Sequence, residues 1–142
     1  IAGILHDVGK LGISDSILTK PGPLTVDEFE VIKSHPSIAM RILENISLSK
    51  NIKEGVLLHH LRYDLTGYPH GADVSELPNF ARIIGAADAL DAMTSHRSYK
   101  NAMNCMEVME EFKKERGRQF CPKVVDVVIE LLGKKIILPL CI

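Results

Sequence analysis

The chain has 142 residues, 46% of them hydrophobic and 25% charged, with 17 Lys and Arg against 18 Asp and Glu for a formal charge of −1. This suits one domain with a real core, excludes a disordered chain, and lacks the basic footprint of a protein that binds duplex nucleic acid. Three widely spaced cysteines, Cys105, Cys121 and Cys141, make no disulfide framework and fit a reducing, cytoplasmic compartment. No apolar run approaches the ~20 residues of a membrane span, so direct membrane insertion is not expected.

In chain order, Ile1, Ala2, Ile4 and Leu5 read as the end of a buried helix without a starting cap, as if cut from a longer chain. Gly9 and Gly12 break that segment, and Ser14 offers an N-cap to a short turn ending near Lys20. After the rigid Pro21-Gly22-Pro23, the capping box Thr25-Val-Asp-Glu28 predicts a helix through about Lys33. Pro36 suits the start of a helix running to about Asn45, with Ile38, Ile42 and Leu43 on its buried side. Ser49 or Asn51 caps the next helix, whose Ile52, Val56 and Leu57 form an apolar stripe ahead of His59-His60. Residues 62–71, rich in Gly and Pro, predict an ordered loop in which Tyr68 can stack or donate a hydrogen bond. Helix is expected again from Phe80 to about Thr94, from a second capping box at Asn104-Cys-Met-Glu107 to a stop at Gly117, and from Lys123 to Leu132 with a stop at Gly133. The apolar tail 136–142 is expected to pack on the domain or on a neighbour. No alternating pattern demands a sheet, so the expected fold is all-α, a compact helical bundle.

The chemistry sits at the breaks between these helices. His6-Asp7 places an imidazole beside a carboxylate where an apolar helix gives way to glycines. His35 lies at a junction between two helices, able to aim across a cleft. Neighbouring helix residues point about 100° apart, so His59 and His60 reach one ion only if their helix ends against it. Asp88 lies in the nearly apolar run 83–93, where an unpaired carboxylate is costly and a metal or an arginine removes most of that cost. Its bland reading is a structural salt bridge. Asp91, one turn on, would orient a ligand histidine or hold an arginine. His70 reads as a surface residue and His96 as exposed or as support to a ligand. Mixed nitrogen and oxygen donors suit divalent Fe, Mn, Zn, Ni or Co, and one carboxylate can bridge two ions, an arrangement suited to phosphodiester cleavage.

These residues also carry a resemblance. His6-Asp-Val-Gly-Lys10, Leu11 to Gly22, Leu24-Thr25, His35-Pro36, His59-His60, Gly67-Tyr68-Pro69, Ala81-Arg82-Ile83, Asp88-Ala-Leu-Asp91-Ala-Met-Thr, Arg97, Tyr99 and Gly117-Arg-Gln-Phe120 follow in order along nearly the whole chain. Together they resemble the HD-GYP branch of the HD phosphohydrolase superfamily, bacterial signalling domains that hydrolyse cyclic di-GMP. The resemblance implies one domain, 1–142, with the HD-type helical bundle, shortened at its N-terminal side. It implies two divalent metal ions, with Fe or Mn favoured. Asp7 would bridge them, His6 and Asp88 would serve one, and His35, His59 and His60 the other. Lys10, Arg97 and Lys100 would meet substrate phosphates, and Tyr68 would shape the dinucleotide pocket. A hydroxide bridging the ions would be the nucleophile, with Asp7 and Lys10 as the catalytic pair. An attached sensory or receiver domain and a homodimer are further implications.

The chain departs from the family pattern at Leu61, Leu65, His96, Ser98 and Cys121. Leu65 stands where glycine is usual, so the loop is expected to change course for want of freedom at positive φ. The superfamily also draws a further histidine from an upstream segment. Two alternatives to cyclic di-GMP hydrolysis therefore stay open: a catalytically degenerate cyclic-dinucleotide-binding or regulatory module, and a phosphohydrolase acting on another nucleotide.

Overall fold

A computed structural model describes residues 1–95 and 102–137. Among the described residues eight α-helices follow one another: α1 (Ala2–Leu5), α2 (Asp15–Leu18), α3 (Val26–Lys33), α4 (His35–Ile42), α5 (Lys50–Leu58), α6 (Asn79–Thr94), α7 (Cys105–Lys114) and α8 (Pro122–Gly133), with a 3-10 turn at Val8–Gly12. Among the described residues there is no strand, only two isolated bridges, Leu61 with Gly67 and Arg116 with Phe120. The fold is an all-α bundle.

Local chemistry sets several of the starts, although Ser14 and Ser49, expected as caps, stand at the N-termini of α2 and α5 without a side-chain hydrogen bond to the helix. Thr25 accepts from the Glu28 amide while the Glu28 carboxylate accepts from the Thr25 amide, and Asn104 and Glu107 repeat the exchange at α7. Each box satisfies two amides that a helix start leaves open. Pro36 sits in the first turn of α4, where its missing N–H costs nothing.

Packing forms two main cores on either side of α6. Ala2, Ala39, Leu43 and Val56 draw α1, α4 and α5 together, with Ile84 of α6 against them. On the other side Ala86 meets Val108, Phe112, Phe120, Val125, Val128 and Leu132 of the C-terminal hairpin. Phe112 and Phe120 stack there at 4.4 Å. A smaller cluster, Leu58, Leu61, Leu77 and Ala81, seats the loop between α5 and α6. The 3-10 turn lies directly on α4: a Cβ on Gly9 would fall 1.8 Å from the His35 carbonyl oxygen, so only glycine fits.

Several sequence expectations need correction. Ile1 and Ile4 are exposed, and within α1 Ala2 alone is buried. Ile42 is exposed as well, because α4 buries its Ala39 and Leu43 edge. α4 ends at Ile42 and not near Asn45, and α7 ends at Lys114, three residues before Gly117. The residues after Lys114 turn back through Gly117 at φ 76°. Residues 138–142 of the tail, with Cys141, lie outside the described residues.

Leu65 takes a left-handed conformation itself, at φ 64°. The loop keeps the turn that a glycine would make, at a steric cost on the order of 1 kcal/mol. Since Leu65 is exposed, Leu65→Gly should raise stability by about 0.5–1 kcal/mol after allowance for glycine's extra freedom when unfolded. A urea midpoint at or below that of the parent protein would contradict this.

Candidate metal centre

Three histidines are held by one device. His6 caps the C-terminus of α1, His35 follows the C-terminus of α3, and His59 caps the C-terminus of α5. Each donates Nδ1–H to the carbonyl three residues earlier: His6 to Gly3 at 2.7 Å, His35 to Ile32 at 2.8 Å and His59 to Val56 at 2.8 Å. Those carbonyls lie in the last turns of their helices, where intrahelical partners run out. The bond fixes the tautomer and leaves every Nε2 with its lone pair outward, as a metal ligand requires.

The freed atoms converge. His35 Nε2 lies 3.3 Å from His59 Nε2 and 3.4 Å from Asp7 Oδ1. His6 Nε2 lies 3.5 Å from Asp7 Oδ2 and 3.8 Å from Asp88 Oδ1. His35, His59 and His60 bring one nitrogen each within 4.8 Å of one another, and His6, Asp7 and His59 bring one ligand atom each within the same limit. His59 belongs to both groups. The two sets share a wall, with the Asp7 carboxylate between His6 and His35.

Burial makes this arrangement demanding. His35 and His59 are 1% and 2% exposed. Burial pushes the His59 pKa down to about 3 and that of His60 down to about 4, and it also lowers His35. All three are neutral at pH 7. With their Nδ1 protons committed, His35 and His59 face each other lone pair to lone pair, and Asp7 Oδ1 is buried with no hydrogen-bond partner among the described residues. Acceptors without a proton between them repel, and a divalent cation removes that repulsion. The donor set and its one orphaned carboxylate oxygen fit a metal.

The carboxylates stay charged. Asp88 is held down to about 2, chiefly by His6, and Asp88 in turn raises His6. Burial opposes ionisation of Asp7, but the Lys10 ammonium, 2.7 Å from Oδ2, and the neighbouring imidazoles hold it below the ordinary carboxylate range. Burial and the two carboxylates keep the Tyr68 phenol neutral by raising its pKa.

The structure thus gathers His6, Asp7, His35, His59, His60 and Asp88, with Lys10 on Asp7 and Tyr68 on His60. Asp91 occupies an exposed position of α6, and its carboxylate meets no candidate histidine among the described residues. His70 is exposed, as expected. His96, Arg97 and Lys100 lie outside the described residues. Sequence reasoning missed the anchoring carbonyls, although a histidine at each helix end was the available signal. It also missed Arg62, which donates to Glu115 at 2.6 Å and Gln119 at 3.0 Å and ties the following loop to the C-terminal hairpin.

Two hollows flank the centre. A cleft of about 310 Å³ runs past His60, Asp88, Arg62 and Gln119. A wider groove of about 830 Å³ opens from Lys10 along Leu18, Leu24 and Phe29.

The sequence profile of the HD domain family matches residues 1–124. The chain belongs to that family, as an HD phosphohydrolase of HD-GYP-like type. It is 42% identical over 132 residues to a cyclic di-GMP phosphodiesterase of Thermotoga maritima, covering 92% of this chain and 36% of that protein. It is equally similar, 42% over 132 residues, to the cyclic di-GMP phosphodiesterase response regulator RpfG of Xanthomonas campestris, covering 91% and 35%. A 3′3′-cGAMP-specific phosphodiesterase of Vibrio cholerae is 37% identical over 131 residues, covering 91% and 25%. The chain thus spans about a third or less of the length of these relatives. No helix among the described residues is long and apolar enough to cross a membrane.

The depressed histidines predict acid lability in chelator. Between pH 6.5 and the folded values of about 4 and 3, the unfolded chain binds protons that folded His60 and His59 refuse. Stability therefore falls as pH drops through that window; His6, whose pKa is raised, works in the opposite sense. From pH 7 to pH 5 the loss should be on the order of 2 kcal/mol for each of these two histidines, less the opposing contribution of His6. Urea midpoints with chelator present would show it, and an equal or higher midpoint at pH 5 would refute it.

Proposed function

We infer that this chain is the catalytic unit of a metal-dependent phosphodiesterase that opens cyclic di-GMP to the linear dinucleotide and cuts that on to GMP. The observation that carries this reading is the meeting of unprotonated acceptors: the Nε2 atoms of His35 and His59 with the orphaned Oδ1 of Asp7. Phosphodiesterases of cyclic dinucleotides among the relatives support the substrate class.

In this reading His35, His59 and His60 would hold one divalent ion, His6 and Asp88 would hold a second, and Asp7 would serve both. Fe and Mn are the favoured ions, with Zn, Ni and Co also compatible with the donors. When bound, such ions supply a nucleophile from water at neutral pH and polarise phosphoryl oxygens. The chain's own groups do the rest. Lys10 sits beside Asp7 as a compact point charge, placed to neutralise charge that grows on the phosphoryl group. Arg97 and Lys100 are assigned to the remaining phosphate oxygens. The water oxygen bonds to phosphorus as the bond to the 3′ oxygen breaks, and that oxygen leaves with a proton as the 3′ hydroxyl. The groove beside Lys10 and the cleft beside His60 provide room on both sides for a two-nucleoside substrate. A sensory or receiver domain in a longer parent chain, and pairing as a homodimer, belong to the same reading.

The test is anaerobic incubation of the Mn²⁺-loaded protein with cyclic di-GMP and chromatographic identification of the products, for the parent protein and for His59→Ala. The parent should yield the linear dinucleotide and then GMP. His59→Ala should lose bound metal and turnover while keeping a cooperative thermal transition. Parent-level metal content and rate in that variant would overturn the assignment.

A further inference from the structure

His60 differs from the other three clustered histidines. Among the described residues no carbonyl or carboxylate accepts a hydrogen from its ring, whereas His6, His35 and His59 each have a backbone anchor. A candidate ligand without an anchor is free to turn about its side-chain bonds, and ligand orientation is what a supporting group normally supplies.

Its support comes from the loop after α5. The Tyr68 ring lies over the His60 imidazole with centroids 4.6 Å apart and planes 26° from parallel, within the range of favourable aromatic stacking. The His35 ring meets the imidazole at 5.1 Å, 88° from the His60 plane, and the His59 ring lies tilted beside it at 4.1 Å. The backbone is held by the same loop. Leu61 bridges to Gly67, and the Tyr68 amide donates to the His60 carbonyl at 3.4 Å. A Cβ on Gly67 would lie 2.5 Å from that carbonyl oxygen, and Gly67 also has φ 94°. Glycine thus lets the loop ride on the His60 main chain while the next residue covers its side chain.

We propose that Tyr68 is a positioning residue for the metal ligand His60, acting through its ring face before any substrate arrives. This rests on the metal-site reading above, and it gives Tyr68 a task separate from contact with a dinucleotide. The ring is what matters, so phenylalanine suffices and an aliphatic side chain does not.

The experiment titrates Co²⁺ alone into the parent protein, Tyr68→Phe, Tyr68→Leu and His60→Ala, without nucleotide, following the visible absorption and the calorimetric affinity. Thermal melts check folding, and Tyr68→Ala repeats the leucine test without new bulk. Tyr68→Phe should match the parent within about twofold, while Tyr68→Leu and Tyr68→Ala should weaken Co²⁺ binding about tenfold or more and alter the absorption bands. Parent-like affinity and spectrum in the leucine and alanine variants, with only a raised KM for cyclic di-GMP, would overturn the proposal and leave Tyr68 a substrate contact. Parent-like Co²⁺ binding by His60→Ala would instead remove the ligand reading itself, and the role of Tyr68 with it.

Discussion

The centre depends on a hydrogen bond repeated at three helix ends, from a histidine Nδ1–H to the carbonyl three residues behind it. A helix C-terminus has spare carbonyls, and a histidine placed at or just beyond that end reaches one by folding back. The bond serves two purposes. It satisfies a helix terminus, and it decides which nitrogen stays bare. Had the rings carried the proton on Nε2 instead, the inward face would present N–H groups and repel a cation. Because His35 and His59 point the bare nitrogen inward beside the bare Oδ1 of Asp7, the interior accumulates electron pairs that a cation reconciles.

That accumulation is set within a packed framework. Ala2, Ala39, Leu43 and Val56 close the layer beneath α1, α4 and α5, while α6 brings Asp88 from the side. Lys10 sits on the outer oxygen of Asp7 while the inner one remains bare. The two oxygens of one carboxylate thus have opposite circumstances, one facing an ammonium and the other facing imidazole lone pairs.

Much of the bundle was legible because helix starts are written in short-range chemistry. The Thr25-Glu28 and Asn104-Glu107 exchanges form as read, and α5 stops where the double histidine begins. The ends and faces were less legible. Ile4 and Ile42 look like core by composition, yet burial depends on which neighbour a helix finds, and Ala39 and Leu43 occupy the inner positions of α4. The convergence of His6, His35 and His59 was not derivable from spacing, since they sit at distant points of the chain; family likeness supplied it. Leu65 shows a rule overridden by context. The loop is fixed by contacts on both sides, including Arg62 amide to Thr66 carbonyl at 2.8 Å, and leucine accepts the left-handed conformation imposed on it.

Those loop contacts have an architectural consequence. All six candidate ligands occur by position 88, and the C-terminal hairpin of α7 and α8 contributes none of them. Yet the Tyr63 amide donates to the Gln119 carbonyl at 3.0 Å, the Asp64 amide to the Arg118 carbonyl at 2.9 Å, and Arg62 grips Glu115 and Gln119. The last third of the chain therefore acts as a buttress for the segment that lies over His60. A fragment trimmed after α6 would retain every candidate metal-binding side chain and lose the scaffolding that keeps one of them in place.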